Sequence, residues 1–191
     1  MTVIRWEQRG CGRSCSEGPY DLETALNDIE SIRAAYGFDR ISIGGHSWGA
    51  DLSLAYALEH TDRVYSLLYI SGTGVQNDRE WKEAYENGVG TELDPVPEFE
   101  FPWNLEVNKQ GVASWRRYIK RPDLLRRVSE STIPGLFIYG ERDIRPSWPA
   151  EQVARLMRSA EFLLIPKAPH CIWLTHESEL KQALWKMPLN G

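Results

Sequence analysis

Short runs of β-branched and apolar residues alternate along this chain with segments of helical period, and no other feature constrains the fold as much. The alternation predicts βαβ units and a mostly parallel sheet flanked by helices, an α/β class. Thr2–Trp6 is expected as a strand. In Asp21–Tyr36, the residues Leu22, Ala25, Leu26, Ile29, Ile32 and Tyr36 fall at spacings of three and four, on one helical face, and Gly37 follows as a C-cap. Ile41–Ile43 is the next strand, Trp48–Glu59 the next helix, and Val64–Ser71 a buried strand ending in Gly72-Thr73-Gly74. The rhythm breaks between Val75 and Lys120, where Pro95, Pro97 and Pro102 accompany many acids and no clean strand. It resumes with a helix around Pro122–Glu130, strand Gly135–Tyr139, helix Trp148–Arg158, strand Glu161–Ile165 and helix Ile172–Lys186. The expected organisation is a core of residues 1–74 and 121–191, with an insertion of residues 75–120 lying over it.

Composition excludes several classes. The 191 residues, 42% apolar and 26% charged, suit one ordinary globular core. No run approaches the ~18 apolar residues a membrane span needs. Arg5, Glu7 and Arg9 leave no apolar leader at the start, so a cytoplasmic location is expected. Three cysteines, an odd number, argue against a disulfide framework, and Cys11 and Cys15 are expected to be structural. The net charge of −5 gives no electrostatic reason for nucleic acid to bind. No histidine pair has metal spacing, and neither Gly10-Cys11-Gly12 nor Gly72-Thr73-Gly74 has the third glycine of a dinucleotide fingerprint. No metal or cofactor is expected.

The chemistry centres on Gly45-His46-Ser47-Trp48-Gly49. A G-x-S-x-G match alone is weak, but this one follows a strand and opens a helix, as a nucleophile elbow requires. The sharp turn strains the serine backbone, and side chains at Gly45 and Gly49 are expected to collide beneath it. Ser47 Oγ then stands at a helix N-terminus, where the Trp48 N–H can stabilise an oxyanion. Four histidines compete for the role of base. His46 lies inside the elbow and is expected to point away from the working face of Ser47. His60 suits a helix C-cap, and His176 lies within the last expected helix. His170 follows a strand through Pro166-Lys167-Ala168-Pro169, on a loop where α/β proteins collect their chemistry. Asp143, after strand Gly135–Tyr139, is the candidate orienting acid, with Glu141 as substitute. Ser47, Asp143 and His170 thus fall in the chain order serine, acid, histidine, each after a strand.

On these residues the chain resembles the α/β-hydrolase superfamily, and more narrowly its prolyl aminopeptidase branch of serine peptidases. The match is carried by Trp6-Glu7-Gln8-Arg9-Gly10-Cys11-Gly12-Arg13-Ser14, Gly44-Gly45-His46-Ser47-Trp48-Gly49, Tyr139-Gly140-Glu141-Arg142-Asp143 and Pro169-His170. The first is similar to the family's D-Q-R-G-x-G-x-S turn, with Glu7 where aspartate is usual. The resemblance implies an α/β-hydrolase-type sheet that is N-terminally truncated, lacking three strands and an H-G-G-P-G-type loop, with a short cap insertion. That loop supplies the family's second oxyanion donor. Without the absent strands, Thr2–Trp6 is expected to slide against Ile41–Ile43 or to leave an unpaired edge. The resemblance also implies release of N-terminal residues through an acyl-enzyme on Ser47, from a substrate with a free amino terminus held by cap carboxylates. Consistent with that, residues 78–106 hold nine acids against two bases (Asp78, Glu80, Glu83, Glu86, Glu92, Asp94, Glu98, Glu100 and Glu106 with Arg79 and Lys82), a local charge of −7. Trp48, Trp81, Trp103, Trp115 and Trp173 are candidates to shape a pocket for a proline-like ring. A small-ester carboxylesterase, and a catalytically impaired hydrolase fragment, remain as alternatives.

Overall fold

A computed structural model describes residues 2–14, 16–75, 79–91 and 97–187. Cys15, Asp78, Glu92, Asp94 and Pro95, named above, lie outside the described residues.

Four parallel strands form the sheet, in the spatial order β1 (Ile41–His46), β2 (Val64–Ile70), β3 (Gly135–Gly140) and β4 (Ala160–Ile165). Register follows burial. Tyr69 and Phe137 are paired, and with Tyr139 they face one layer; Ile70 and Ile138 are paired and face the other. In the larger layer α1 (Leu22–Ala35) packs against α2 (Trp48–Glu59), which lies on the sheet with α6 (Trp148–Leu156), and α7 (Glu177–Leu184) covers the opposite face. Helix α2 has almost no polar side, and Ala50 through Leu58 are all buried, so it reads as a central core helix. Helix α1 begins where Asp21 accepts a hydrogen bond from the Thr24 N–H at 2.9 Å, satisfying one of the helix's otherwise unpaired donors. Its Leu22, Ala25, Leu26 and Ile29 enter the core, while Tyr36 is 59% exposed and stacks on Phe38.

Three expectations change. Residues 2–7 form no strand; their chain runs on into a turn at residues 8–13, and β1 has no described partner on its outer side. Extended propensity in Thr2–Trp6 makes no ladder without a neighbouring strand to accept its hydrogen bonds. The last expected helix is broken: Ile172–Leu174 is a single tight turn, and α7 starts only after Thr175 and His176. His176 takes φ −129°, outside the helical region, so it precedes α7 and is not within a helix. Between β2 and β3, the described residues include α3 (Arg79–Gly88), α4 (Leu105–Tyr118) and α5 (Leu124–Glu130). Helix α4 is capped by Asn104, whose Oδ1 accepts from Glu106 N–H at 3.1 Å and Val107 N–H at 3.3 Å. It buries Val107, Gly111, Ser114, Trp115 and Tyr118.

Candidate active site

The carboxyl ends of β1, β3 and β4 carry the candidate residues to one edge of the sheet. At the end of β1, Ser47 takes φ 55° and ψ −121°, a conformation that a non-glycine residue adopts only under strain. Two hydrogen bonds hold it there: its N–H donates to the Ile70 carbonyl of β2 at 2.8 Å, and its own carbonyl accepts the Ala50 N–H at 2.9 Å. The turn is possible because of Gly45, where a Cβ would lie 2.2 Å from the Gly49 carbonyl carbon. The expectation for Gly49 changes, because a Cβ there would meet nothing within 4 Å. Only one of the two glycines is required by space. Trp48 is the first residue of α2, so its N–H has no acceptor within the helix.

Asp143 and His170 meet directly. The Asp143 side chain is fully buried, and its Oδ2 lies 2.6 Å from His170 Nδ1. A carboxylate only accepts, so the proton of this bond sits on Nδ1 and leaves Nε2 as the basic nitrogen. The other oxygen, Oδ1, accepts from the Arg145 N–H at 2.9 Å and the Arg145 guanidinium at 3.2 Å. His170 is only 8% exposed. Its loop is pressed onto β3, where a Cβ on Gly140 would lie 2.3 Å from the Ala168 carbonyl oxygen. Glu141 lies on the same loop pair but does different work, accepting from the Lys167 N–H at 2.8 Å.

Ser47 enters this arrangement through its neighbour. The His46 ring lies 4.4 Å from the His170 ring and meets Trp173 edge-on at 4.5 Å, while its Nε2–H donates to the His170 carbonyl at 3.0 Å. His46 thus braces the loop that carries the imidazole. Burial and the neighbouring His170 push its pKa down to about 4, so it is neutral at ordinary pH. Among the described residues, Ser47 Oγ and the His170 ring are not hydrogen-bonded to each other.

The turn at residues 7–14 is pinned from three sides. Arg9 makes a two-pronged contact with Asp28 of α1 at 2.6 and 3.0 Å. Gln8 Oε1 accepts from Trp48 Nε1–H at 3.0 Å, and the Gly10 carbonyl accepts from Asn104 Nδ2–H at 2.9 Å. Glu7 closes the turn by accepting the Arg13 N–H at 2.8 Å, which holds its carboxyl below the usual range. This turn, Trp48 and α4 enclose a cavity of about 380 Å³ walled by Trp48, Phe99, Phe101, Trp103, Val107 and Gly111. Its carboxylates are Glu7 and Glu100. No group of three or more potential metal ligands occurs among the described residues. No helix among them is long and apolar enough to cross a membrane.

Sequence reasoning set His46 aside and missed Asp51. Asp51 did leave a signal, as an acid one turn beyond Ser47 in an otherwise apolar helix.

Residues 1–101 match a family described as alpha/beta hydrolase fold. Over 72 residues the chain is 44% identical to a protein named proline iminopeptidase from Neisseria gonorrhoeae, covering 35% of this chain and 22% of that one. A proline iminopeptidase of Arabidopsis thaliana is 30% identical over 122 residues, covering 62% of this chain and 32% of the relative. These matches thus span a third or less of the relatives' own length. Among solved structures, a thermophilic esterase from Thermogutta terrifontis aligns with a TM-score of 0.71 at 20% identity, covering 94% of this chain and 76% of the esterase. With the family match extending over more than half of its residues, and a parallel sheet of the same architecture beneath it, this chain belongs to the α/β-hydrolase fold family.

Proposed function

We propose that the chain is a serine hydrolase of the prolyl-aminopeptidase kind, in which Ser47, His170 and Asp143 act as nucleophile, base and orienting acid. The observation that carries this reading is the 2.6 Å bond from a wholly buried Asp143 to His170, at the same sheet edge as the strained Ser47. His170 Nε2 takes the Ser47 proton as Oγ attacks the acyl carbon, then returns it to the departing amine as the carbon–nitrogen bond breaks. Water, deprotonated by the same nitrogen, then cleaves the acyl-enzyme and restores Ser47. A serine–histidine bond that is long without substrate commonly tightens once substrate is bound. The Trp48 N–H supplies one oxyanion donor. Removing one donor of an oxyanion pair typically costs about 10²–10³ in turnover, so this N–H is a principal contributor to the proposed step.

The cavity beside Trp48 has aromatic walls and two carboxylates, which suits an apolar ring carrying an ammonium. The first experiment is labelling with a fluorophosphonate probe. Labelling that Ser47→Ala abolishes supports the nucleophile, and a folded chain that never labels overturns it. A proline anilide assayed beside a short-chain phenyl ester then separates the peptidase from the esterase.

A further inference from the structure

Asp51 is 1% exposed in the apolar core helix α2, and no step above uses it. Three donors converge on it. The Tyr69 hydroxyl of β2 donates to Oδ1 at 2.5 Å, the Thr73 N–H lies 3.0 Å from the same oxygen, and the Thr73 hydroxyl donates to Oδ2 at 2.7 Å. A hydroxyl carries one proton. Thr73 spends its proton on Asp51, so its oxygen is left to accept, and Trp115 Nε1–H of α4 donates to it at 3.1 Å. Tyr69 is placed likewise, its oxygen accepting the Gly74 N–H at 2.7 Å. The carboxylate therefore orders a chain of bonds from the elbow helix, through the loop after β2, to α4. That helix also supplies Val107 and Gly111 to the cavity wall, and Gly111 lies against Trp48.

We propose that Asp51 is a positioning residue that seats α4 against α2, and that the cavity beside Trp48 holds an apolar ligand tightly only while both Asp51 oxygens accept hydrogen bonds. The proposal rests on the hydrolase reading for its consequence in catalysis, but the seat itself is a binding property. A proton on Asp51 turns an acceptor into a donor aimed at donors. If the Thr73 hydroxyl turns to accept it, its own proton must move to one of the two other positions on the oxygen, one of which the Trp115 N–H occupies, so the bond to α4 is put in competition and weakened. Burial pushes the Asp51 carboxyl up to about 7, with the bonds from Tyr69 and Thr73 pulling the other way, so this reversal falls within the working range of pH. The titratable groups facing Asp51 are Tyr69 of β2 and Tyr139 of β3, both raised well above their usual value by burial and therefore neutral. Beyond Tyr139 lie Asp143 and Arg145, while the loop after β2 and α4 contribute Thr73 and Trp115, which do not titrate.

The test titrates the whole chain with the neutral fluorophore N-phenyl-1-naphthylamine at pH 6, 7 and 8, for the native protein, Asp51→Asn and Thr73→Val. The native affinity should be about fivefold or more tighter at pH 8 than at pH 6, a coupling of ordinary size. Both variants should bind weakly and without pH dependence. A native affinity that is absent or constant with pH overturns the proposal, and so does a variant that keeps the native pH dependence. Should Asp51→Asn fail to fold, Thr73→Val decides, since it leaves Asp51 its bonds from Tyr69 and the Thr73 N–H. Fluorophosphonate labelling run in parallel separates the two readings: an unlabelled Ser47 with the expected pH series defeats the hydrolase and leaves the seat standing.

Discussion

The Nε2–H of His46 donates to the carbonyl oxygen of His170 across 3.0 Å, so the residue beside the strained serine holds the backbone that presents the imidazole. One such bond contributes about 1 kcal/mol net. His46→Ala should therefore slow fluorophosphonate labelling of Ser47 by roughly tenfold, counting the lost ring contact as well. His46→Gln, which keeps an N–H within reach, should recover part of the rate. Equal labelling rates for all three proteins would show that His46 holds nothing that matters.

Asp143 is bonded to both His170 and Arg145 with no exposed side-chain surface. Asp143→Asn replaces the acceptor facing Nδ1 and favours the wrong imidazole tautomer, an exchange that lowers turnover by about 10⁴-fold in a serine protease triad. Hydrolysis of a proline anilide or phenyl ester should fall by a comparable factor. A fall of less than tenfold would remove Asp143 from the orienting role.

Two buried groups pull the stability of the fold in opposite directions with pH. Folded Asp51 keeps its proton up to about pH 7, whereas the unfolded carboxyl loses it near the ordinary 3.8. Between those values the folded state binds more protons, so this group lowers stability as pH rises, by on the order of 4 kcal/mol across the window. His46 reverses the sign: folded, it loses its proton at about 4, against 6.5 when free, so its contribution to stability falls as pH drops from 6.5 to 4, by on the order of 3 kcal/mol. Urea unfolding should show His46→Gln gaining on the parent as pH falls through that window, and Asp51→Asn gaining on it as pH rises from 4 to 7. Parallel curves for parent and variants would contradict both assignments.

The two elbow glycines should respond unequally. Gly45→Ala forces a Cβ to 2.2 Å from backbone, which nothing flexible can relieve, and should cost more than about 4 kcal/mol or prevent folding. Gly49→Ala has open space in the first turn of α2 and should leave the melting temperature unchanged or raise it, since alanine favours a helix by roughly 0.5–1 kcal/mol over glycine. Thermal unfolding of the two variants side by side decides the matter.

Much of the core was legible because burial imposes period. The limits of α2 follow from a largely apolar run, and β2, β3 and β4 from short apolar stretches between turns. Helix α4 was legible in principle through Asn104 as its cap and Val107, Gly111 and Trp115 at spacings of four, but the prolines before it masked the period. Thr2–Trp6 misled because strand propensity is local while a ladder needs a partner. The end of the chain misled because apolar spacing continues across Thr175 and His176, although Glu177 and Glu179 mark the true start of α7. Ser47, Asp143 and His170 were legible through residue type and position after a strand. What His46 and Asp51 touch was not, since His170 and Thr73 lie 124 and 22 residues away in sequence and only folding joins them.

Helix α2 and the serine turn rest on β1, one of the two border strands of the described sheet, whose outer row of amide and carbonyl groups faces no described neighbour strand. A row of that kind is a template for any extended segment that drifts near it. The six residues that carry the serine turn thus also form a border of the described sheet, so a change made to that border would reach the strained turn at Ser47 as well.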